Sequence, residues 1–131
     1  MTETKKPITK VFEHFTIEHT DNYALIKISA GKLNGDVSPP LKVELRILNA
    51  NNVKNFIIDL SKVTFTRSSG LSALLVSNKL CASLSGNSIV IGVCEPVKKL
   101  IEYAQCEKIL TIVSTMDDAL AIINKTVATA K

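Results

Sequence analysis

Phe56-Ile57-Ile58-Asp59-Leu60-Ser61-Lys62-Val63-Thr64-Phe65-Thr66-Arg67-Ser68-Ser69-Gly70-Leu71-Ser72-Ala73-Leu74-Leu75 reads as an apolar strand, a short loop, and a Ser-Ser-Gly opening to an apolar helix. A helix start leaves its first backbone N–H groups unpaired and carries the positive end of the peptide dipoles. A serine hydroxyl placed there stands where added negative charge can be accommodated. Function is therefore expected at Ser68 and Ser69.

Toward the N-terminus, residues 1–11 read as a polar, flexible lead. Phe12–Ile17 and Tyr23–Ala30 follow as two strands joined by the turn-forming His19-Thr20-Asp21-Asn22, a hairpin. Ala24, Ile26, Ile28 and Ala30 share one face of the second strand; Tyr23, Leu25, Lys27 and Ser29 share the other, which is only partly covered. Residues 31–37 read as a loop. Ser38-Pro39-Pro40 opens a helix, with Ser38 as the expected cap and Pro39 in the first-turn slot that tolerates a missing N–H. Leu41, Leu45 and Leu48 recur at helical spacing opposite Lys42 and Arg46, ending near Asn51-Asn52.

Toward the C-terminus, Ser88–Cys94 and Ile109–Val113 are, like Phe56–Leu60, short continuous apolar runs suited to strands covered on both faces. The helix after Gly70 runs to about Ser85-Gly86-Asn87. Leu71, Leu74, Leu75, Cys81 and Ala82 cover one side of it, and Ala73, Val76, Leu80 and Leu84 extend around the rest, which reads as a broadly buried helix or as one with surplus contact surface. Another helix opens at Glu95-Pro96 with Val97, Leu100, Ile101 and Ala104 on its stripe. The last opens at Ser114-Thr115, with Asp117 and Asp118 in its first turn and Met116, Leu120, Ile123 and Val127 inward. The order β-β-α-β-α-β-α-β-α predicts an α/β single domain: a mixed sheet with an N-terminal hairpin, parallel crossovers and about four helices.

This stretch resembles the signature of STAS domains, above all the bacterial anti-sigma factor antagonists. Their pattern is an apolar strand ending in Asp-Leu-Ser, then Asp-Ser-Ser-Gly-Leu and an apolar helix. Asp59-Leu60-Ser61 and Ser68-Ser69-Gly70-Leu71 match, whereas Arg67 stands where the family has aspartate. In Gly31-Lys32-Leu33-Asn34, Asn34 replaces another of the family's usual acidic residues. The resemblance implies a STAS domain over residues 12–131 and the mixed sheet just derived.

It also implies that Ser68 is the position the family's dedicated serine kinases phosphorylate, and that Asn34, Arg67, Ser68, Ser69, Gly70 and Leu71 form the partner-binding surface. By itself a Ser-Ser-Gly more often caps a helix, and Ser69 is the better cap candidate; no Glu or Gln stands three residues on to complete a capping box. Gly70 reads either as room for a partner's backbone or as relief of crowding between loop and helix. Arg67 reads as an exposed loop residue or as a cation that alters the partner's view of the site, and Asn34 as a turn residue or as part of the same surface. A phosphate on Ser68 gains about 0.3 to 1 kcal/mol from the helix end. Burying the dianion in an interface costs several, so its effect on docking dominates.

The family's mechanism would be partner switching. The unphosphorylated protein docks on a GHKL-type serine kinase that also serves as the anti-sigma factor, phosphorylation of Ser68 ends the contact, and a PP2C-type phosphatase resets it. The rivals are a constitutive STAS adaptor, in which Arg67 and Asn34 have abolished turnover, and an accessory subunit of a small-molecule or lipid transport system.

Other classes find little support. At 131 residues the chain is one domain able to bury about two-thirds of its extended surface. The net charge of +4 comes from scattered lysines with only 5% aromatics, so no direct nucleic-acid footprint is expected. No Walker or dinucleotide fingerprint occurs, and His14 and His19 lack motif-spaced partners. Asp59 stands alone at a strand end rather than in a receiver-type acidic cluster. No catalytic residue, metal or cofactor is expected. Cys81, Cys94 and Cys106 cannot all pair and fit reduced thiols, Met1–Lys10 has no signal-peptide apolar core, and no run reaches the roughly 18 residues of a membrane span. A cytoplasmic protein is expected.

Overall fold

The computed structural model of the chain describes residues 8–20 and 22–129, with side chains as far as 125. Ile26, Ile28, Phe56, Ile58 and Val90 turn to one side of a central sheet, and Leu25, Ile57, Ile89 and Ile91 to the other. This two-sided burial is what the continuous apolar runs demand, because alternate residues of a strand point to opposite faces. The strands are β1 (Ile8–Val11), β2 (Phe15–His19), β3 (Ala24–Ile28), β4 (Lys32–Leu33), β5 (Phe56–Asp59), β6 (Phe65–Thr66), β7 (Ser88–Ile91) and β8 (Thr111–Ile112). The helices are α1 (Ser38–Ala50), α2 (Ser68–Ser83), α3 (Glu95–Tyr103) and α4 (Met116–Thr129).

Six strands form one sheet in the order β1-β2-β3-β5-β7-β8. β1 pairs antiparallel with β2 and β2 with β3, whereas β3, β5, β7 and β8 pair in parallel through helical crossovers. Helices α1, α2 and α3 cover one face through Leu41, Leu45, Leu74, Val97 and Ile101; α4 covers the other through Ala119 and Ile123. This is the mixed α/β sheet expected from the order of elements. Buried Asn55 ties one end of it together, donating from Nδ2 to the Asn22 carbonyl and accepting from the Asn87 N–H, each at 2.9 Å. No helix among the described residues is long and apolar enough to cross a membrane.

Several expectations change. Ile8–Val11, assigned to a flexible lead, form β1, because the Phe12 N–H bonds the Phe15 carbonyl and folds this segment back along β2; residues 1–7 lie outside the described residues. The segment 31–37 is not all loop, since Lys32 and Leu33 pair in parallel with Phe65 and Thr66 as a separate two-stranded sheet. The run Ile109–Val113 yields only the two-residue β8, at the sheet edge, with Ile109 53% exposed. On α2 the inward stripe is Leu71, Leu74, Ser77 and Cys81, with Ala73 beside it, while Ala82 is exposed. Ala104 follows the end of α3 and is exposed. In α4, Ile123 is buried and Met116 and Leu120 half-buried; the Val127 side chain lies outside the described ones.

Candidate functional site

The site is built where the β4–β6 pair delivers the chain into α2. The Arg67 N–H bonds the Leu33 carbonyl at 3.0 Å, and the Arg67 carbonyl accepts from the N–H groups of Gly70 and Leu71. Arg67, extended at φ −111°, is therefore the N-cap residue by its backbone, and no side chain caps the helix. Ser69, the expected cap, sits one residue inside the first turn. Ser68 is the first helical residue and is exposed. Its hydroxyl stands at the dipole-positive start of a 16-residue helix.

The register brings together residues far apart in sequence. Leu33 pairs with Thr66, so Asn34 and Arg67 continue side by side beyond the paired strands. Asn34 carries the turn into α1: its Oδ1 accepts from the Asp36 N–H at 3.0 Å, and its carbonyl accepts from the N–H groups of Val37 and Ser38. With those groups satisfied, Ser38 is not needed as a cap. It lies inside the helix after Val37, buried, with its Oγ donating to the Ser69 carbonyl at 2.7 Å. The expected cap of α1 is thus a strut between two helices. Lys42 Nζ donates to Ser72 Oγ at 2.8 Å, and Asn49 Nδ2 to the Leu80 carbonyl at 2.9 Å, as further ties along the same contact.

Gly70 is buried, and a Cβ there would stand 2.3 Å from Thr66 Oγ1 and 2.4 Å from the Leu33 carbonyl oxygen. Its glycine lets α2 close on the β4–β6 pair, which is relief of crowding, and the reading of it as room for a partner's backbone fails because it faces inward. Leu71 is likewise buried in the core. Of the six residues expected to face a partner, Arg67 and Ser68 are exposed, Asn34 and Ser69 are half-buried, and Gly70 and Leu71 support them from below. Thr66 is buried and locks the junction, with Oγ1 donating to the Leu33 carbonyl at 2.9 Å.

Sequence reasoning missed Phe65, which is 42% exposed and carries the Arg67 guanidinium 5.3 Å from its ring centroid. A two-residue strand is too short for periodicity to reveal. The one usable signal was Leu33 followed by Asn34-Gly35, a turn pair closing a short extended run. Asp59 accepts from the Ser61 N–H at 2.9 Å, shaping the loop after β5 as a structural carboxylate does.

A family model for the STAS domain matches residues 10–119. Among solved structures, an anti-sigma factor antagonist from Mycobacterium paratuberculosis is 23% identical, with TM-score 0.73 over 84% of this chain and 92% of that one. The Bacillus cell fate determinant SpoIIAA in its phosphorylated form is 16% identical, with TM-score 0.65 over 82% and 96%. A sulfate transporter family protein from Wolinella succinogenes is 20% identical, with TM-score 0.69 over 79% and 86%. At these identities the likeness speaks for the fold, and the family match over most of the chain goes further: this protein belongs to the STAS domain family.

Proposed function

We propose that this chain is a cytoplasmic, non-catalytic switching protein of the anti-sigma factor antagonist type, docking through the surface around Ser68 on a GHKL-type serine kinase that doubles as the anti-sigma factor. Phosphorylation of Ser68 ends the contact, and a PP2C-type phosphatase restores it. The observation that carries the reading is the exposed Ser68 hydroxyl on the first turn of α2. A dianion fits there at the positive end of the helix, next to Arg67, without disturbing the core. An apolar or acidic docking partner would meet two added negative charges at close range, and the cost of burying them exceeds what the helix end returns. The Bacillus cell fate determinant SpoIIAA, a protein of like fold, has a structure in a phosphorylated form.

One observation favours a second reading, a constitutive adaptor. Asn34 spends its side-chain oxygen on its own turn, and the Arg67 guanidinium lies over Phe65. Neither offers the acceptor hydroxyl a carboxylate neighbour. Intact mass after incubation with the cognate kinase and ATP separates the two: one added phosphate, absent in Ser68→Ala, supports the switch, and an unmodified chain that still binds the kinase supports the adaptor. Recovery of transporter subunits in place of a kinase would point to a transport role, as in the family of the Wolinella protein.

A further inference from the structure

In the β4–β6 pair, Leu33 and Thr66 turn inward and are buried, while Lys32 and Phe65, directly paired across the two strands, are exposed. Alternation puts Arg67 on the same outer side as Phe65, and the guanidinium over the phenyl ring is its direct trace. A further cation arrives from α1. Lys42 Nζ sits on Ser72 Oγ, and Ser72 follows Ser68 by one helical turn on the same face of α2. Arg67 thus adjoins Ser68 directly, while Lys32 and Lys42 lie on the elements packed against the start of α2, and Asp36 is an exposed carboxylate in the adjoining turn. The Phe65 ring beside these cations is left 42% exposed.

We infer that the partner face which meets Ser68 is acidic, with carboxylates that pair with Arg67, Lys32 and Lys42 and an apolar notch that takes the Phe65 ring. The inference rests on the reading of Ser68 as the centre of the docking surface and adds the chemistry of what docks there. Arginine and aromatic side chains are the residue types that dominate interface energetics, and a guanidinium already stacked on a ring loses little freedom when a carboxylate forks onto it. The polarity also selects. A partner built to meet the family's aspartate at this position would present a cation to Arg67 and be repelled. An acidic partner sharpens the switch, because phosphate on Ser68 then faces like charge while drawing Arg67 away from its carboxylate.

The test uses the serine kinase recovered with the wild-type chain as the probe, without ATP, at 50 and 300 mM NaCl. Binding is measured for wild type, Arg67→Asp, Phe65→Ala and Ser68→Asp. Wild-type affinity is expected to fall about tenfold with the added salt, since exposed complementary charges are screened. Arg67→Asp is expected to bind at least ~30-fold more weakly at low salt and to lose the salt dependence, and Phe65→Ala to bind roughly tenfold more weakly at both. Salt-independent binding, or an Arg67→Asp chain that binds as well as wild type, overturns the acidic face. If Ser68→Asp weakens binding while Arg67→Asp does not, only this inference falls. If neither changes binding, or no kinase is recovered, the Ser68-centred reading falls with it.

Discussion

The Ser38 hydroxyl donates a 2.7 Å hydrogen bond to the Ser69 carbonyl, so the first turn of α1 holds the first turn of α2 from behind while Ser68 faces solvent. Ser38 is buried and Ser69 half-buried, so the strut is partly shielded from water. Ser38→Ala should lower unfolding free energy by about 0.5 to 1.5 kcal/mol in urea, with an unchanged denaturant slope. Unaltered stability would mean that the bond contributes nothing to holding the site.

Gly70 offers a test in which two effects carry opposite signs. Alanine in a helix gains up to about 1 kcal/mol over glycine from propensity. The added methyl, however, would meet the Leu33 carbonyl oxygen, a backbone atom held by the Arg67 N–H. Overpacking of this kind costs about 1 to 3 kcal/mol, so Gly70→Ala should destabilise the protein, and its Tm should drop by several degrees. A higher Tm would show that α2 does not close on β4 and β6 as described.

Burial pushes the Cys81 thiol up from 9.0 to about 12, with a hydrogen bond to the Phe56 backbone opposing part of that shift. The unfolded chain then releases this proton first as pH rises, so it binds fewer protons than the folded one and stability falls with pH. The loss begins near the ordinary thiol value and ends near the raised one, with a slope of up to about 1.4 kcal/mol per pH unit. Between pH 9 and 11, wild type should lose stability more steeply than Cys81→Ala. Equal slopes would place the thiol in water. In native protein at pH 8, a thiol reagent should leave Cys81 unmodified until urea is added.

Ser77 on α2 and Ser88 on β7 share a buried 2.6 Å hydrogen bond between their hydroxyls. Either single alanine substitution strands one polar group, at a cost of about 1 to 3 kcal/mol. The double substitution removes both and should cost less than the sum of the two. A strictly additive cycle, measured by chemical denaturation, would contradict the pairing.

The central strands were legible because β5 and β7 are apolar on both faces and each abuts a helix with clear periodicity. The same logic failed at Ile109–Val113, where apolar residues lie on an edge and composition does not distinguish an edge strand from a buried one. Strands β4 and β6 have two residues each, below the length at which any period can be read. The placement of Ser68 at a helix start could be read from local chemistry, whereas its role as a phosphate acceptor came only from the family resemblance. Its neighbours were harder: Ser38 reads as a cap until the turn at Asn34 is seen to satisfy the N–H groups first, and Phe65 belongs to the site only through a pairing with Lys32 across 33 residues of chain.

Charge on residue 68 is expected to govern docking while the fold stays unchanged. The decisive measurement is the affinity of the cognate serine kinase for wild type, Ser68→Ala and Ser68→Asp, with all three chains shown to have the same Tm. Wild type and Ser68→Ala should bind alike and Ser68→Asp at least about tenfold more weakly, a difference of ~1.4 kcal/mol. Equal affinity for all three would show that residue 68 does not gate docking.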